Sequence, residues 1–324
     1  MKRRHLLTTA ARLATLCLSL SAWADAWPTK PLRIIVPGGP GGVIDIRARW
    51  IAQRLAEALR QAVVVENRPG AGGNVGMEAG AHSAPDGYTL TLIHQGTIAM
   101  NPHLYAHPGY DPLSDFAPIT RLGIGPLLLA VHPSLPVASV WDLVDLAKAR
   151  PGQLNFGSPG IGTPPHLAGE LFKRVTGIDV VHVPYKGGGQ AASDLIAGHV
   201  QFAIEGLNVQ LPHVLAGRIR ALAVTGPKRV ATLPSVPTMS EAGWPQYEFQ
   251  GWVGLAAPAA APREVVERLY QEIHAILSGP EAKEWFAAVG ADTGDEPPAQ
   301  FERDIRAEYA KWGRVIRDAG IRAE

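Results

Sequence analysis

Leu32-Arg33-Ile34-Ile35-Val36, running into Pro37-Gly38-Gly39-Pro40-Gly41-Gly42, is the stretch on which the fold turns. An apolar run that stops at a glycine-rich loop reads as a short strand, and beyond the loop apolar residues recur at helical spacing: Ile44, Ala48, Ile51, Ala52, Leu55 and Leu59. Strand, glycine loop and helix in that order predict an α/β fold, with a mostly parallel sheet covered on both faces.

Downstream the unit recurs. Val63 to Glu66 reads as a second strand, with Asn74 placed to cap a helix from Val75, and Tyr88 to Ile93 as a third that leaves through His94-Gln95-Gly96-Thr97. After residue 120 the pattern restarts. Leu154 to Gly157 leads into Ser158-Pro159-Gly160-Ile161-Gly162-Thr163 and a helix with Leu167, Leu171, Phe172 and Val175 on one face. Val180 to Pro184 leads into Tyr185-Lys186-Gly187-Gly188-Gly189 and another helix, and Val200 to Ile204 ends at Glu205. The restart predicts two lobes, with Ile119 to Val131 and Arg220 to Thr225 as crossover strands between them. The first lobe is expected over 27–122 and 226–324, the second over 123–225.

Residues 1–26 form a separate unit. Lys2, Arg3 and Arg4, an apolar run from Leu13 to Leu20, and the small residues Ala24 and Ala26 predict a cleaved signal peptide, its apolar core too short for a bilayer of about 30 Å. Arg3-Arg4 fits either of two export routes. The periplasm is the expected compartment, without membrane insertion once the signal is removed. The one cysteine, Cys17, falls inside this segment behind Leu16, which is too large for a lipoprotein signal. The mature chain must therefore fold by its core alone, without disulfides or thiolate chemistry.

Composition sets further limits. With 46% hydrophobic and 18% charged residues, 35 Gly and 28 Pro, the chain is globular and rich in turns rather than disordered or fibrous. Losing Lys2, Arg3, Arg4 and Arg12 against Asp25 alone turns a formal net charge of +1 into −2. No basic stripe then argues for nucleic acid or an anionic membrane as partner.

In an open α/β sheet, ligands sit beyond the carboxyl ends of the strands, where loops lead into helix N-termini. Glycines let backbone N–H groups approach closely, and the positive end of the helix dipole favours an anion. The loops at 37–43 and 157–163, one from each lobe, are the candidates, and an acid held between them would favour a closed state. Asp45 reads as a helix cap. Thr163 and His166 suit either ligand contact or, respectively, a cap and a surface imidazole. Lys186 suits an anion or a solvated turn, and Glu205 a ligand bearing a donor or a plain surface carboxylate.

Enzyme signatures are poor. Gly157-Ser158-Pro159-Gly160 lacks the G-x-S-x-G pattern, H-E-x-x-H is absent, and no nucleophile with an oriented base stands out. The glycine loops lack both the Lys-Ser/Thr ending of a P-loop and the dinucleotide spacing. The 11 histidines are scattered, so no metal site and no cofactor is expected.

Taken together, several motifs resemble the Bug-type extracytoplasmic solute receptors of tripartite tricarboxylate transporters. They are Pro40-Gly41-Gly42 with Asp45 and Arg49; Val65 to Gly73; Ala84-Pro85-Asp86-Gly87-Tyr88-Thr89-Leu90; Gly157 to Gly162 with His166 to Glu170; Val183 to Gly187; Asp194-Leu195 with Gly198; and Leu233-Pro234-Ser235-Val236-Pro237-Thr238. The resemblance spans essentially the whole mature chain. It implies a two-lobed periplasmic-binding-protein (Venus-flytrap) fold, type II-like, and a small mono-, di- or tricarboxylate as ligand, passed on to membrane permease subunits. It also implies a carboxylate held by the two glycine loops, which points to Pro40, Gly41, Gly42 and Val43 together with Ser158, Gly160, Gly162 and Thr163; Gly39 in the first loop and His166 at the helix start after the second join them as candidates from their positions. Gln95, Thr97, Lys186, Gly187 and Gly188 extend the set, with Glu205 and Asn208 at the far end. Two departures stand out: Ile44 replaces a hydroxyl residue, and Glu205-Gly206-Leu207-Asn208 replaces an aspartate-containing sequence. A periplasmic sensing subunit using the same fold is the alternative reading.

Overall fold

The computed structural model describes residues 27–288 and 290–319. The expected signal peptide, with Cys17 and the paired arginines, lies outside the described residues.

The opening stretch folds as its pattern predicts. β1 (Leu32–Val36), α1 (Val43–Leu59), β2 (Val63–Asn67), α2 (Asn74–Ala81) and β3 (Thr89–His94) alternate, and β1 pairs in parallel with β2 on one side and β3 on the other. Ala48, Ile51 and Leu55 turn one face of α1 onto Ile34, Val36, Leu90 and Leu92. Each isoleucine, leucine or valine side chain so removed from water contributes about 1.5–3 kcal/mol. Asn74 does not cap α2 but is its first residue. Its Oδ1 accepts from Asn101 Nδ2 and the Tyr110 hydroxyl, so tertiary partners take the oxygen a cap would have used.

α3 (Asn101–Leu104) leads to β4 (Phe116–Val131), the strand that joins the two halves. After α4 (Val140–Ala149), capped by Ser139, the alternation restarts with β5 (Asn155–Ser158), α5 (Pro164–Thr176), β6 (Val181–Pro184), α6 (Gly188–Ala197), β7 (Phe202–Gly206), α7 (Leu207–Leu215) and β8 (Arg220–Val224). β9 (Gln250–Pro258), α8 (Arg263–Ser278), α9 (Pro280–Ala288), β10 (Asp292–Thr293) and α10 (Pro298–Ala319) complete the described chain.

The sheet order is β2-β1-β3-β9-β4-β7-β5-β6, with β8 and β10 also on β4. It is parallel in the outer parts of each half and antiparallel around β4, because β4 pairs with β9 along residues 116–126 and with β7 and β8 along 127–131. One continuous strand thus belongs to both lobes, as the crossover reading of this segment expects.

The second crossover runs differently. β8 pairs only with Leu128–Val131 and stays in the second half-sheet. The return path is the segment after it, closed where Thr225 and Phe249 hydrogen-bond each other's backbone, after which β9 begins opposite Pro126. Residues 226–249, which the sequence reading gives to the first lobe, pack with the second. Met239, Trp244, Tyr247 and Phe249 bury beside Phe156, Phe172 and Phe202, and Val230, Leu233 and Val236 beside Leu128 and Ala130. α10 then spans both halves: Phe301 and Ile305 pack on Trp252 in the first, and Ile316 joins the cluster of Phe249 in the second.

Candidate functional site

The halves meet along a cleft of about 90 Å³, room for several waters or a small solute. Gly38, Gly39, Gly42 and Val43 of the β1–α1 turn line one wall, and Gly187 and Gly188 of the β6–α6 turn line the other. The two turns touch through bare backbone. A Cβ on Gly39 would stand 2.6 Å from the Lys186 carbonyl oxygen, and one on Gly42 would stand 3.4 Å from the Gly188 nitrogen. At position 39 only glycine allows that approach, while at position 42 a Cβ would already be in van der Waals contact with the facing turn.

Gly42 is the N-cap of α1 and Gly187 that of α6, and neither helix start receives a side-chain cap. The leading N–H groups of a helix need acceptors from outside it, and its dipole adds positive potential at the same end. Two such ends, one from each lobe, converge on the cleft and suit an anion. Asp45 is not part of this surface. Its carboxylate accepts from the Gly41 N–H (2.9 Å), Asn67 (2.9 Å) and Arg49 (3.1 Å), so it braces the first turn from behind. Burial alone would push its carboxyl up, but these hydrogen bonds outweigh it and hold the group below its ordinary range.

The turn in backbone contact with 37–43 is 186–189, and the 157–163 turn lines the cleft beside them. In the latter, Gly160 N–H donates to Ser158 Oγ (3.2 Å), Gly162 N–H to His166 Nδ1 (3.2 Å) and Thr163 N–H to Gly160 O (3.3 Å). With those amides engaged, the turn gives the cleft Pro159, Thr163, Pro164 and Pro165. Behind them buried Ser158 and His166 meet half-buried His182: Ser158 Oγ lies 2.6 Å from His182 Nε2 and the His166 and His182 rings stand 4.2 Å apart. Desolvation pushes His182 down to about 3 and lowers His166 as well, so neither ring is poised to take a proton near neutral pH. His166 is buried, not a surface imidazole.

The remaining expected residues divide. Pro40, Gly41 and Lys186 are exposed at the rim. Gln95 donates to Glu308 (2.8 Å) and lines a separate cavity with Arg121, Trp252 and Trp312, and Thr97 is fully buried with its hydroxyl on the His94 carbonyl. Glu205 and Asn208 do line the cleft. Glu205 is 3% exposed, which removes the surface-carboxylate reading. Its Oε1 accepts the Gly206 N–H (2.7 Å), while Oε2 and Asn208 Nδ2 have no partner among the described residues. Burial pushes the Glu205 carboxyl up to about 7.

Two cleft residues escape the sequence reading. Arg47 is 5% exposed, holds only the Gly123 carbonyl (3.2 Å) and has a buried Nε without a partner among the described residues. Burial brings its guanidinium down to about 10, so it stays charged at neutral pH. His94 is buried with its Nδ1 accepting the Gly96 N–H (3.1 Å), and desolvation lowers it to about 4, which keeps it neutral. A signal for Arg47 was present in the spacing. It falls on the same helical face as Ile44 and Ile51, where a charge is out of place unless something meets it.

Residues 47–321 match the model of the tripartite tricarboxylate transporter family receptor. BugT of Bordetella pertussis is 37% identical over 311 residues, covering 96% of this chain and 95% of its own length. Among solved structures, Rpa4515 of R. palustris with adipate superposes with a TM-score of 0.89 at 40% identity, over 91% of this chain and 99% of that one. The periplasmic binding protein BugD does so with a TM-score of 0.88 at 31% identity, over 92% and 100%.

Proposed function

This chain belongs to the tripartite tricarboxylate transporter receptor family, a group of binding proteins and not enzymes, and from that premise we propose that it captures a small carboxylate in the periplasm and delivers it to the membrane permease subunits. The observation that carries the ligand class is the meeting of two uncapped helix N-termini, at Gly42 and Gly187, across the lobe boundary. A carboxylate there takes hydrogen bonds from both lobes at once, so it binds the closed form more tightly than the open one and draws the equilibrium toward closure. Buried Arg47 in the same cleft supplies a compensating positive charge. The adipate-bound relative supports an acid of this kind. Among the described residues no helix is long and apolar enough to cross a membrane.

The test is a thermal-shift screen of mono-, di- and tricarboxylates beside amines and neutral sugars. An acid present at a hundred times its dissociation constant stabilises the fold by about 2.7 kcal/mol. A melt shifted by amines or sugars and by no acid would overturn the reading.

A further inference from the structure

Glu205 Oε2 lies 3.1 Å from the point a Cβ would occupy on Gly188, and the Cα of Gly42 lies 3.3 Å from that same point. The carboxyl therefore abuts the spot where the two helix-leading turns meet. Its other oxygen already accepts the Gly206 N–H, and Oε2, buried in the cleft, has no partner among the described residues. The titratable or charged side chains lining the cleft with it are Arg47 from α1 and His94 from β3. The turn carrying Gly187 and Gly188 brings no side chain, and Lys186 points to the exposed rim.

We propose that Glu205 binds the solute as a neutral acid, donating the proton on Oε2 to the solute carboxylate held between the Gly42 and Gly187 turns, so that solute capture is linked to proton uptake. Two carboxylates sharing one buried site raise the pKa of one of them, and the single charge of Arg47 offsets only one of the two. A shared proton turns their repulsion into a short, charge-assisted hydrogen bond. Where Glu205 is ionised in the free protein, binding takes one proton from solution, and the solute leaves with its own charge unchanged when that proton is returned. Desolvation, which already raises this carboxyl to about 7, places the exchange near neutral pH. The inference rests on the carboxylate-receptor reading and adds to it a solute affinity set by pH.

The experiment is calorimetric titration of the mature chain with acetate, malate and adipate between about pH 6 and pH 9, for the wild type and Glu205→Gln, in buffers of differing ionisation enthalpy. For any acid that binds, the wild-type Kd is expected to rise toward tenfold per pH unit above about pH 7, with proton uptake approaching one. Glu205→Gln, which keeps a donor but cannot titrate, is expected to bind with a Kd independent of pH. A wild-type affinity that stays flat over this range, or a glutamine variant that keeps the wild-type slope, overturns the proton-linked role and leaves the receptor reading standing. Failure of these three and of every acid in the thermal-shift screen to bind overturns both. Independently of any ligand, the side-chain carboxyl carbon of Glu205 is expected to titrate near neutral pH in the free protein; a midpoint below about pH 5 overturns the proposal.

Discussion

A Cβ on Gly39 would stand 2.6 Å from the carbonyl oxygen of Lys186, across the line where the lobes meet. The backbone of Gly39 needs no left-handed conformation, so a side chain there is tolerated by its own lobe and penalised only on closure. Gly39→Val is accordingly expected to fold with wild-type circular dichroism and an unchanged unliganded melting temperature, yet to lose carboxylate affinity by at least about tenfold, equivalent to 1.4 kcal/mol. Small-angle scattering in excess acid would show the variant staying expanded. A variant that compacts and binds like the wild type would clear this contact of any part in closure.

The Glu205 carboxyl makes stability itself depend on pH. Its folded value near 7 lies above the ordinary 4.5, so its contribution is full below about pH 4.5, declines as pH rises through 7 and is constant beyond. The difference amounts to roughly 3 kcal/mol. Glu205→Gln should exceed the wild type by about that amount in urea denaturation at pH 8 and match it at pH 4.

His94 acts with the opposite sign. Its folded value near 4 lies below the ordinary 6.5, so the stability it confers is present above 6.5 and is lost as pH falls toward 4, again about 3 kcal/mol. His94→Asn, which retains an acceptor for the Gly96 N–H, is expected to flatten the acid limb of the stability profile. Urea midpoints at pH 7.5 and 4.5 for both proteins decide it.

Arg47 holds a full charge in the cleft with one backbone carbonyl as its hydrogen-bond partner among the described residues. Replacing such a group with an apolar one of similar length relieves a desolvation cost while removing an attraction for anions. Arg47→Met is expected to melt no lower than the wild type and to bind carboxylates at least about tenfold more weakly. Equal affinity by calorimetry would contradict a role for the charge.

Phe156 is fully buried and stacks on Phe202 at 5.6 Å in the second lobe, outside the cleft lining. Phe156→Ala should cost about 3–5 kcal/mol of stability. Carboxylate affinity, measured well below the lowered melting temperature, should stay within about threefold of wild type.

The local units were legible because their signals are local. An apolar run, a glycine loop and a helical repeat occupy a few dozen consecutive residues, and β1 with α1, β5 with α5 and β6 with α6 keep that order in the fold. Gly39, Gly42, Gly187, Gly188, Glu205 and Asn208 could be reached this way, since each lies at the end of a strand, in the turn that follows one or at the start of a helix. Asn74 could not be placed, because two partners far along the chain compete for the oxygen that a cap would use.

By itself, then, the sequence determined the alternation of strand and helix, the glycine turns that free backbone amides for an anion, and the likeness to a carboxylate receptor. Only the tertiary structure decided which turns meet. The shared strand β4 fixes the two half-sheets relative to each other, and that register sets 37–43 against 186–189, while the Gly160, Gly162 and Thr163 N–H groups are taken up by Ser158, His166 and Gly160. It also buries Glu205 and Arg47 in one cleft, and neither the depth of a charged group nor its neighbours is written in the spacing of residues, because both arise from packing between segments far apart in the chain.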